Sequence, residues 1–393
     1  MGDNLKMNNL VKRTWAEVNV DAISANIAGI RKIVGDGVKI MVSVKADGYG
    51  HGVKMTAKTV LDAGADCLAV SCVNEALEIR NFGIDAPILV LGYTPEGEYE
   101  TAINNDITLT VFRSEDAAAL DAVAAGLSKT AKVHIKINVG MNRIGFETSS
   151  VDDAAKILDM KNLFAEGIFT HFPCADENED ELTANQFKKY TDFVNKLEEK
   201  CGKKIPVHHV CNSAATVKFK NMHLDMVRVG IIAYGLYPST DFDRSLIKLE
   251  PAMSIKTVVS RIQCICKGER ISYGGTYKAE KEMKIATLPI GYADGYSRLL
   301  SNKGRVIAGG QYANIVGKVC MDQCMIDVTD VNNINVGDEV IIMGCADGKS
   351  VSADALAGII GTINYEIVCD VGKRVPRVYL KNGEITDILN QLV

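Results

Sequence analysis

The chain has 393 residues, more than one hydrophobic core ordinarily organises, so two domains are the default expectation. Hydrophobic residues at 47% and charged residues at 24% are the balance of a soluble globular protein, and a net charge of -5 argues against a nucleic-acid binder, whose contact face would be basic. Eleven cysteines without Cys-x-x-Cys or Cys/His spacing read as reduced thiols rather than a disulfide framework or a metal site, and no apolar run approaches the roughly 20 residues of a membrane span.

The first residues, Met1 to Arg13, are polar and charged with no apolar core, so they are not read as a secretory signal and a cytoplasmic location is expected. In Thr14–Val20, Trp15, Glu17 and Asn19 alternate with smaller residues, which makes 14–20 a candidate strand for a later β domain. Asn19-Val20-Asp21 offers capping oxygens to a helix over Ala22–Ile33. From about Ala22 to Gly235 short apolar runs alternate with amphipathic stretches, the pattern of parallel β/α units. Eight strands are expected, at Ile40–Val44, Cys67–Ser71, Ile88–Leu91, Ile107–Val111, Val133–Ile137, Phe164–Thr170, Val207–Val210 and Met226–Val229, and eight such units close a (β/α)8 barrel of the TIM type. Asn74-Glu75 offers caps to a helix over Ala76–Asn81, while Gly64 and Gly83 are placed to end helices in the left-handed conformation.

After about Pro251 the pattern changes to closely spaced strands, Ile255–Cys266, Lys284–Leu288, Gly304–Ile307, Met325–Val328 and Asp338–Met343, separated by Gly, Asp and Asn turns. Cys264 and Cys266 are expected on one strand face. The fold class is therefore α/β, an N-terminal (β/α)8 barrel over 1–243 followed by a mainly β domain over 244–393, with the boundary near Thr240–Arg244.

Lys45 ends the first barrel strand and opens the glycine-rich turn Ala46-Asp47-Gly48-Tyr49-Gly50-His51-Gly52. Barrel enzymes place chemistry at the carboxyl ends of their strands, so Lys45 is a candidate Schiff-base amine as well as a candidate strand-end surface lysine. Loops after the seventh and eighth strands commonly bind phosphate, and here they hold Asn212-Ser213-Ala214-Ala215 and Gly230-Ile231. Ser213 either caps a helix or joins Gly230 in cradling an anion. A lysine and a phosphate cradle on one rim point to pyridoxal phosphate. Arg228 closes strand eight and is a candidate partner for the cofactor's pyridine nitrogen, with a structural ion pair as the competing role. His171 ends strand six on the same rim, placed to orient an arginine or a phenol.

These residues carry a resemblance to the alanine racemases, the barrel-type (fold type III) pyridoxal-phosphate enzymes. It runs nearly end to end, through Val44–Gly52, His134-Ile135-Lys136 with Gly140–Phe146, Thr170-His171-Phe172, Asn212–Ala215 and Met226–Ile231. It continues through Ile271-Ser272-Tyr273-Gly274, Gly291–Gly295, Cys320–Gln323 and Thr362-Ile363-Asn364-Tyr365-Glu366. The order and spacing of these segments make the resemblance specific.

The resemblance implies racemisation of L- and D-alanine on pyridoxal 5'-phosphate by two bases. Lys45, displaced from the cofactor aldehyde by the substrate amine, would exchange the α-proton on the D face, and Tyr273 from the partner subunit would exchange it on the L face. A free phenol titrates near about 10, so such a base needs help, which the resemblance assigns to His171 bridged to Arg228. It also implies that Tyr49, Ser213, Gly230, Ile231 and Tyr365 hold the phosphate, and that Arg143 contacts the cofactor phenolate and the substrate carboxylate. Met321 and Tyr292 of the second subunit would wall the substrate, and Lys136 would be a carbamylated lysine bracing Arg143. A homodimer with shared sites and a role in supplying D-alanine for peptidoglycan follow from the same likeness.

Three departures stand out: Asn138 and Val139 replace the usual Asp and Thr or Ser, Asn142 replaces a small residue, and Pro173-Cys174 replaces Ala-Thr, at an expected helix start. The alternatives are a racemase acting on serine or on a wider set of amino acids, a decarboxylase on a related architecture, and a non-catalytic pyridoxal-phosphate carrier. A metal-dependent barrel hydrolase is disfavoured because His208 and His209, adjacent on one strand, point to opposite faces.

Overall fold

The computed structural model describes residues 12–392; Met1–Val11, most of the segment read above as lacking a secretory signal, lies outside it, as does Val393. Two compact units emerge. One comprises Ile23–Gly48 and Val53–Glu250, and the other comprises the described residues through Ala22, the short segment Tyr49–Gly52, and the described residues from Pro251 onward.

In the first unit the β-branched runs form eight parallel strands at Lys39–Ser43, Cys67–Val70, Ile88–Val90, Ile107–Val111, Ala131–Asn138, Leu163–Phe169, Val207–His209 and Met226–Val229. The last pairs in parallel with the first, Met226 opposite Lys39, and the seventh and eighth are tied by Arg228 N–H to Cys211 O at 2.9 Å. The expected (β/α)8 barrel is thus present, with strand ends displaced by one or two residues. Alternation along each strand divides inside from outside. Met41, Cys67, Ala69, Leu89 and Met226 form a buried interior cluster. Two residues further along the same faces come Ser43 and Arg228, and the next step reaches Lys45 and Gly230, so the pattern that fills the barrel also aims these groups at its carboxyl end. Burial raises the Cys67 thiol to about 12, which makes it a packing residue rather than a nucleophile.

The helices follow their punctuation with two exceptions. Asn19 Oδ1 accepts from Asp21 N and Ala22 N at 3.0 and 3.1 Å and starts helix Val20–Val34. Gly64 and Gly83 adopt φ of 101° and 77°. Asn74-Glu75, by contrast, does not cap: the helix spans Val73–Asn81, its N-cap is Cys72 without a side-chain bond, and Glu75 lies inside its first turn. Pro173 starts no helix either, since the next one begins at Asp180.

The second unit is mainly β. Thr14–Asn19 lies between Met253–Val258, antiparallel, and Arg377–Lys381, parallel, in an eight-stranded sheet that also holds Arg305–Ala308, Gln311–Asn314, Glu339–Ala346, Lys349–Val351 and Glu384–Leu389. The segment expected as one strand, Ile255–Cys266, is two: Met253–Val258 belongs to this sheet, whereas Arg261–Ile265 pairs with Met283–Leu288 in a three-stranded sheet with Cys324–Asp327. The break falls where Val259 N bonds Asp338 O and Ser260 N bonds Thr287 O, both at 2.9 Å. Cys266 therefore lies past the strand end and shares no strand face with Cys264. Arg377, almost fully buried, donates to the carbonyls of Gly50, Gly372, Val375 and Val371 at 2.7–3.0 Å and so closes this unit around Tyr49–Gly52.

Among the described residues no helix is long and apolar enough to cross a membrane, no group of His, Cys, Asp or Glu is arranged to hold a metal ion, and all eleven cysteines are free.

Candidate active site

Lys45 opens a turn that winds the wrong way. Ala46, Asp47 and Gly48 have φ of 51°, 54° and 62°, left-handed values that cost a non-glycine residue about 1–2 kcal/mol each. Neighbouring groups hold this geometry. Gly48 N donates to Val44 O at 2.9 Å, Asp47 Oδ1 accepts from Val53 N at 2.8 Å, and Glu75 spans Ala46 N and Ser71 N at 2.7 Å each. A Cβ on Gly48 would stand 3.0 Å from Thr56 Oγ1, so a glycine is needed there for space as well as for φ. Strain held this firmly beside a candidate reactive group is typical of functional sites.

The barrel end gathers positive charge. Lys136 is buried, its Nζ 4.7 Å from the centre of the Phe169 ring, and burial, then Arg228 and Arg143, push its amine down to about 7. His171, half-buried, is driven well below its ordinary value by burial first and then by Arg228, Lys136, Arg143 and Lys45. Four basic side chains that act on one imidazole, Lys136 among them only partly protonated, define a basic focus suited to an anionic ligand, and the imidazole itself is neutral at physiological pH.

Arg228 is fully enclosed and burial pulls it down to about 10, so it stays a cation at neutral pH. Its Nη1 bonds His209 Nδ1 at 2.9 Å and His209 O at 3.0 Å, and its Nη2 bonds Thr170 O at 2.6 Å and Val210 O at 3.4 Å. These four contacts use the Nη hydrogens and leave Nε–H as the donor for a ligand. The imidazole bonded to Arg228 is His209; the bridge from His171 is not among its hydrogen bonds.

Arg143 is exposed on the loop after the fifth strand, whose shape comes from the residues that depart from the racemase pattern. Asn138 Oδ1 accepts from Gly140 N and Asn142 N at 3.1 and 3.0 Å, while its Nδ2 donates to Asn142 Oδ1 and Glu147 Oε1 at 3.0 and 2.9 Å. An aspartate could not make the two donations. Asn142 has φ of 54°, a conformation asparagine tolerates better than most residues.

Ser213 and Gly230 meet directly, Gly230 N donating to Ser213 Oγ at 2.9 Å. The helix Ser213–Lys218 is capped by Asn212, whose Oδ1 accepts from Ala215 N at 3.0 Å and whose Nδ2 donates to Phe172 O at 3.0 Å. Ser213 is thereby relieved of capping and keeps its hydroxyl hydrogen for a ligand. Together with the opening turn at Ile231–Tyr234, whose first N–H groups have no partner within the turn, this forms a seat for an anion.

The β unit carries the remaining candidates. Tyr49 and Tyr365 face each other with ring centres 6.2 Å apart. Tyr273 follows Ser272, at φ 64°, between the short paired strands Arg270–Ile271 and Tyr277–Lys278, and Ser272 Oγ donates to Lys318 O at 2.7 Å. Tyr273 is 70% exposed, Met321 52% and Tyr292 41%. Tyr292 and Met321 are neighbours, since Tyr292 N bonds Cys320 O and Ala293 N bonds Met321 O at 3.1 and 3.0 Å. Buried Asp294 fixes that turn by accepting from Gly291 N at 2.8 Å, Arg13 at 3.0 Å and Arg374 at 2.8 Å.

Glu75 and His209 were not among the residues expected at the site, nor were His134, whose Nδ1 lies 2.7 Å from His209 Nε2, and Glu166, whose Oε2 lies 3.3 Å from His134 Nε2. One signal was present: His134 lies two residues before Lys136 on one strand, and hence on the same face.

The family model for the N-terminal domain of alanine racemase matches residues 18–238, and that for its C-terminal domain matches 252–379. An alanine racemase from Clostridium perfringens is 47% identical over 384 residues, 97% of this chain and 99% of that one. Among solved structures, alanine racemase from Clostridium difficile has a TM-score of 0.94 at 41% identity and covers 98% of this chain and 100% of its own. The Bacillus anthracis alanine racemase with bound L-Ala-P has a TM-score of 0.93 at 39% identity over 98% of this chain and 99% of its own.

Proposed function

This chain belongs to the alanine racemase family, and on that premise we propose that it binds pyridoxal 5'-phosphate and interconverts L- and D-alanine with two bases, Lys45 of one copy and Tyr273 of a second. The observation that carries the reading is the seat formed where Gly230 N bonds Ser213 Oγ at 2.9 Å, in the same barrel unit as buried Arg228 and the left-handed turn that Lys45 opens. The residues present fit the cofactor, with an amine at Lys45, an anion seat at Ser213, Gly230 and Ile231, and a buried cation with one N–H to give at Arg228.

When bound, pyridoxal phosphate supplies the electron sink that lets an α-proton leave. Ser213, Gly230, Ile231, Tyr49 and Tyr365 are the residues that would hold its phosphate, and Arg143 would meet its phenolate and the substrate carboxylate. Arg228, with Nε–H left to give, would face the pyridine nitrogen and keep its own proton, which would favour simple proton return over wider carbanion chemistry. Lys45 Nζ takes or gives the α-proton on the D face. Tyr273 Oη does so on the L face, and the neutral imidazole of His171 is available to accept from the phenol.

Lys136 has the chemistry for carbamylation. An amine lowered to about 7 is partly unprotonated at neutral pH, so its nitrogen can form a bond to carbon dioxide with loss of one proton. The anion produced would face Arg143 and Arg228 and brace the former. Met321 and Tyr292 from the second copy, with Tyr365, wall a small pocket that favours alanine. Serine, larger by one hydroxyl, is a slower substrate of the same pocket. The exposure of Tyr273, Met321 and Tyr292 supports a homodimer with shared sites. Supply of D-alanine to peptidoglycan, in the cytoplasm, is the physiological role.

The test is chiral separation of products after incubating the pyridoxal-phosphate-loaded protein with L-alanine, with Lys45→Ala alongside. D-alanine from the wild type and none from the variant is expected. Loaded wild-type protein that yields no D-alanine would refute the activity, and carbon dioxide release in its place would move the decarboxylase reading forward.

A further inference from the structure

We propose that Glu166 and His134 are positioning residues for Arg228, acting through His209 along one directed chain of hydrogen bonds inside the barrel. The proposal rests on the reading that Arg228 faces the cofactor.

Donor chemistry sets the direction. A guanidinium has hydrogens to give and no acceptor, so the 2.9 Å contact from Arg228 Nη1 makes His209 Nδ1 an acceptor. Burial pushes both His209 and His134 toward the neutral form, in which each ring carries a single proton. On His209 that proton must sit on Nε2, which lies 2.7 Å from His134 Nδ1 and donates to it. His134 in turn must carry its proton on Nε2, which reaches Glu166 Oε2 at 3.3 Å. The chain thus begins at an enclosed cation and ends at a half-buried carboxylate, which the His134 hydrogen bond, first among several influences, holds below its ordinary value.

The fold is built around this chain. Strand Ala131–Asn138 pairs with Leu163–Phe169 as Val133 with Ala165 and then His134 with Gly167, so Glu166 is the extra residue of a bulge. A Cβ on Gly167 would stand 2.6 Å from His134 Cε1, so a glycine makes room for the ring. Phe169 stacks on His209 with ring centres 4.8 Å apart and planes 6° apart, which fixes that imidazole in rotation. Were His209 to carry its proton on Nδ1, two N–H groups would face each other and Arg228 would lose a contact. Glu166 sets the tautomer of His134, His134 sets that of His209, and His209 holds the guanidinium in register.

The experiment combines NMR of the ring nitrogens in isotope-labelled histidine with steady-state kinetics on the full-length protein. The NMR is run on both cofactor-free and loaded protein. In the wild type His134 and His209 should each carry the proton on Nε2. Glu166→Ala should let His134 populate both tautomers and lower kcat for alanine roughly five-fold with KM nearly unchanged. Glu166→Gln, whose amide oxygen still accepts, should restore both readouts and also controls for folding. Tautomers unchanged in Glu166→Ala, or changed tautomers with an unchanged kcat, would overturn the proposal. Because the NMR pattern is read without turnover, failure of the positioning role is distinguishable from a wild type that makes no D-alanine.

Discussion

The barrel end and the β-unit turns hold their functional candidates in opposite ways. In the barrel, Arg228, His209 and Lys136 are buried, and Arg228 and His209 are bonded on several sides. In the β unit, Tyr273, Tyr292 and Met321 are large, apolar and exposed, while the backbone that carries them is rigidly tied by Asp294 and Ser272. A side chain held out on a fixed backbone is what a complementary surface requires, whereas a buried cation network is complete within its own unit. The contrast teaches that the barrel's candidates are stability elements and those of the β unit are not.

Substitutions can break or sharpen this contrast. The largest effect is expected at Arg228→Ala, which strips donors from His209, Thr170 and Val210 and should lower the unfolding free energy by about 2–4 kcal/mol. Denaturant unfolding measures it, and a loss under 1 kcal/mol would deny that the barrel half is structural.

Acid should act next. His134 and His209 titrate below their ordinary 6.5 in the folded protein. Stability is therefore complete above 6.5 and is lost as pH falls, since the unfolded chain then binds protons that the native state refuses. The two rings together steepen that loss by up to about 3 kcal/mol per pH unit. His209→Asn should flatten the dependence, and a slope parallel to that of the wild type would place the proton uptake elsewhere.

Smallest is the expected change in stability at Tyr273→Phe and Met321→Ala, within about 0.5 kcal/mol because both side chains are exposed. Tyr273→Phe should nevertheless abolish most α-proton exchange from L-alanine. A large stability loss there would mean that the tyrosine is bound within its own unit.

The legible parts of the sequence were those with local causes. Runs of β-branched residues located the barrel strands because burial on both faces requires such runs, and Asn19 through its side-chain oxygen and Gly64 and Gly83 through their left-handed backbone marked helix ends. The Lys45 turn was visible as a glycine cluster, but the left-handed twist of Ala46 and Asp47 was not, because Glu75 and Val53 impose it from outside the turn. Pairings across the barrel were equally hidden. His209 reaches Arg228 and His134 only once the strands have closed into one barrel, and no spacing along the chain records that. The single strand read over Ile255–Cys266 failed because apolar alternation continues through a crossing between two sheets.

The central claim is that each site joins Lys45 of one copy to Tyr273 of another, and mixing two inactive variants tests it directly. Lys45→Ala and Tyr273→Phe chains, each assayed alone, should be inactive; unfolded together in equal amounts and refolded with pyridoxal phosphate, they should recover about a quarter of wild-type turnover. Half of the dimers then pair unlike chains, each with one intact site of two. If each chain built its site from its own Lys45 and Tyr273, no mixture could restore one, and absence of recovered D-alanine formation in a mixture shown to contain mixed dimers would contradict the account.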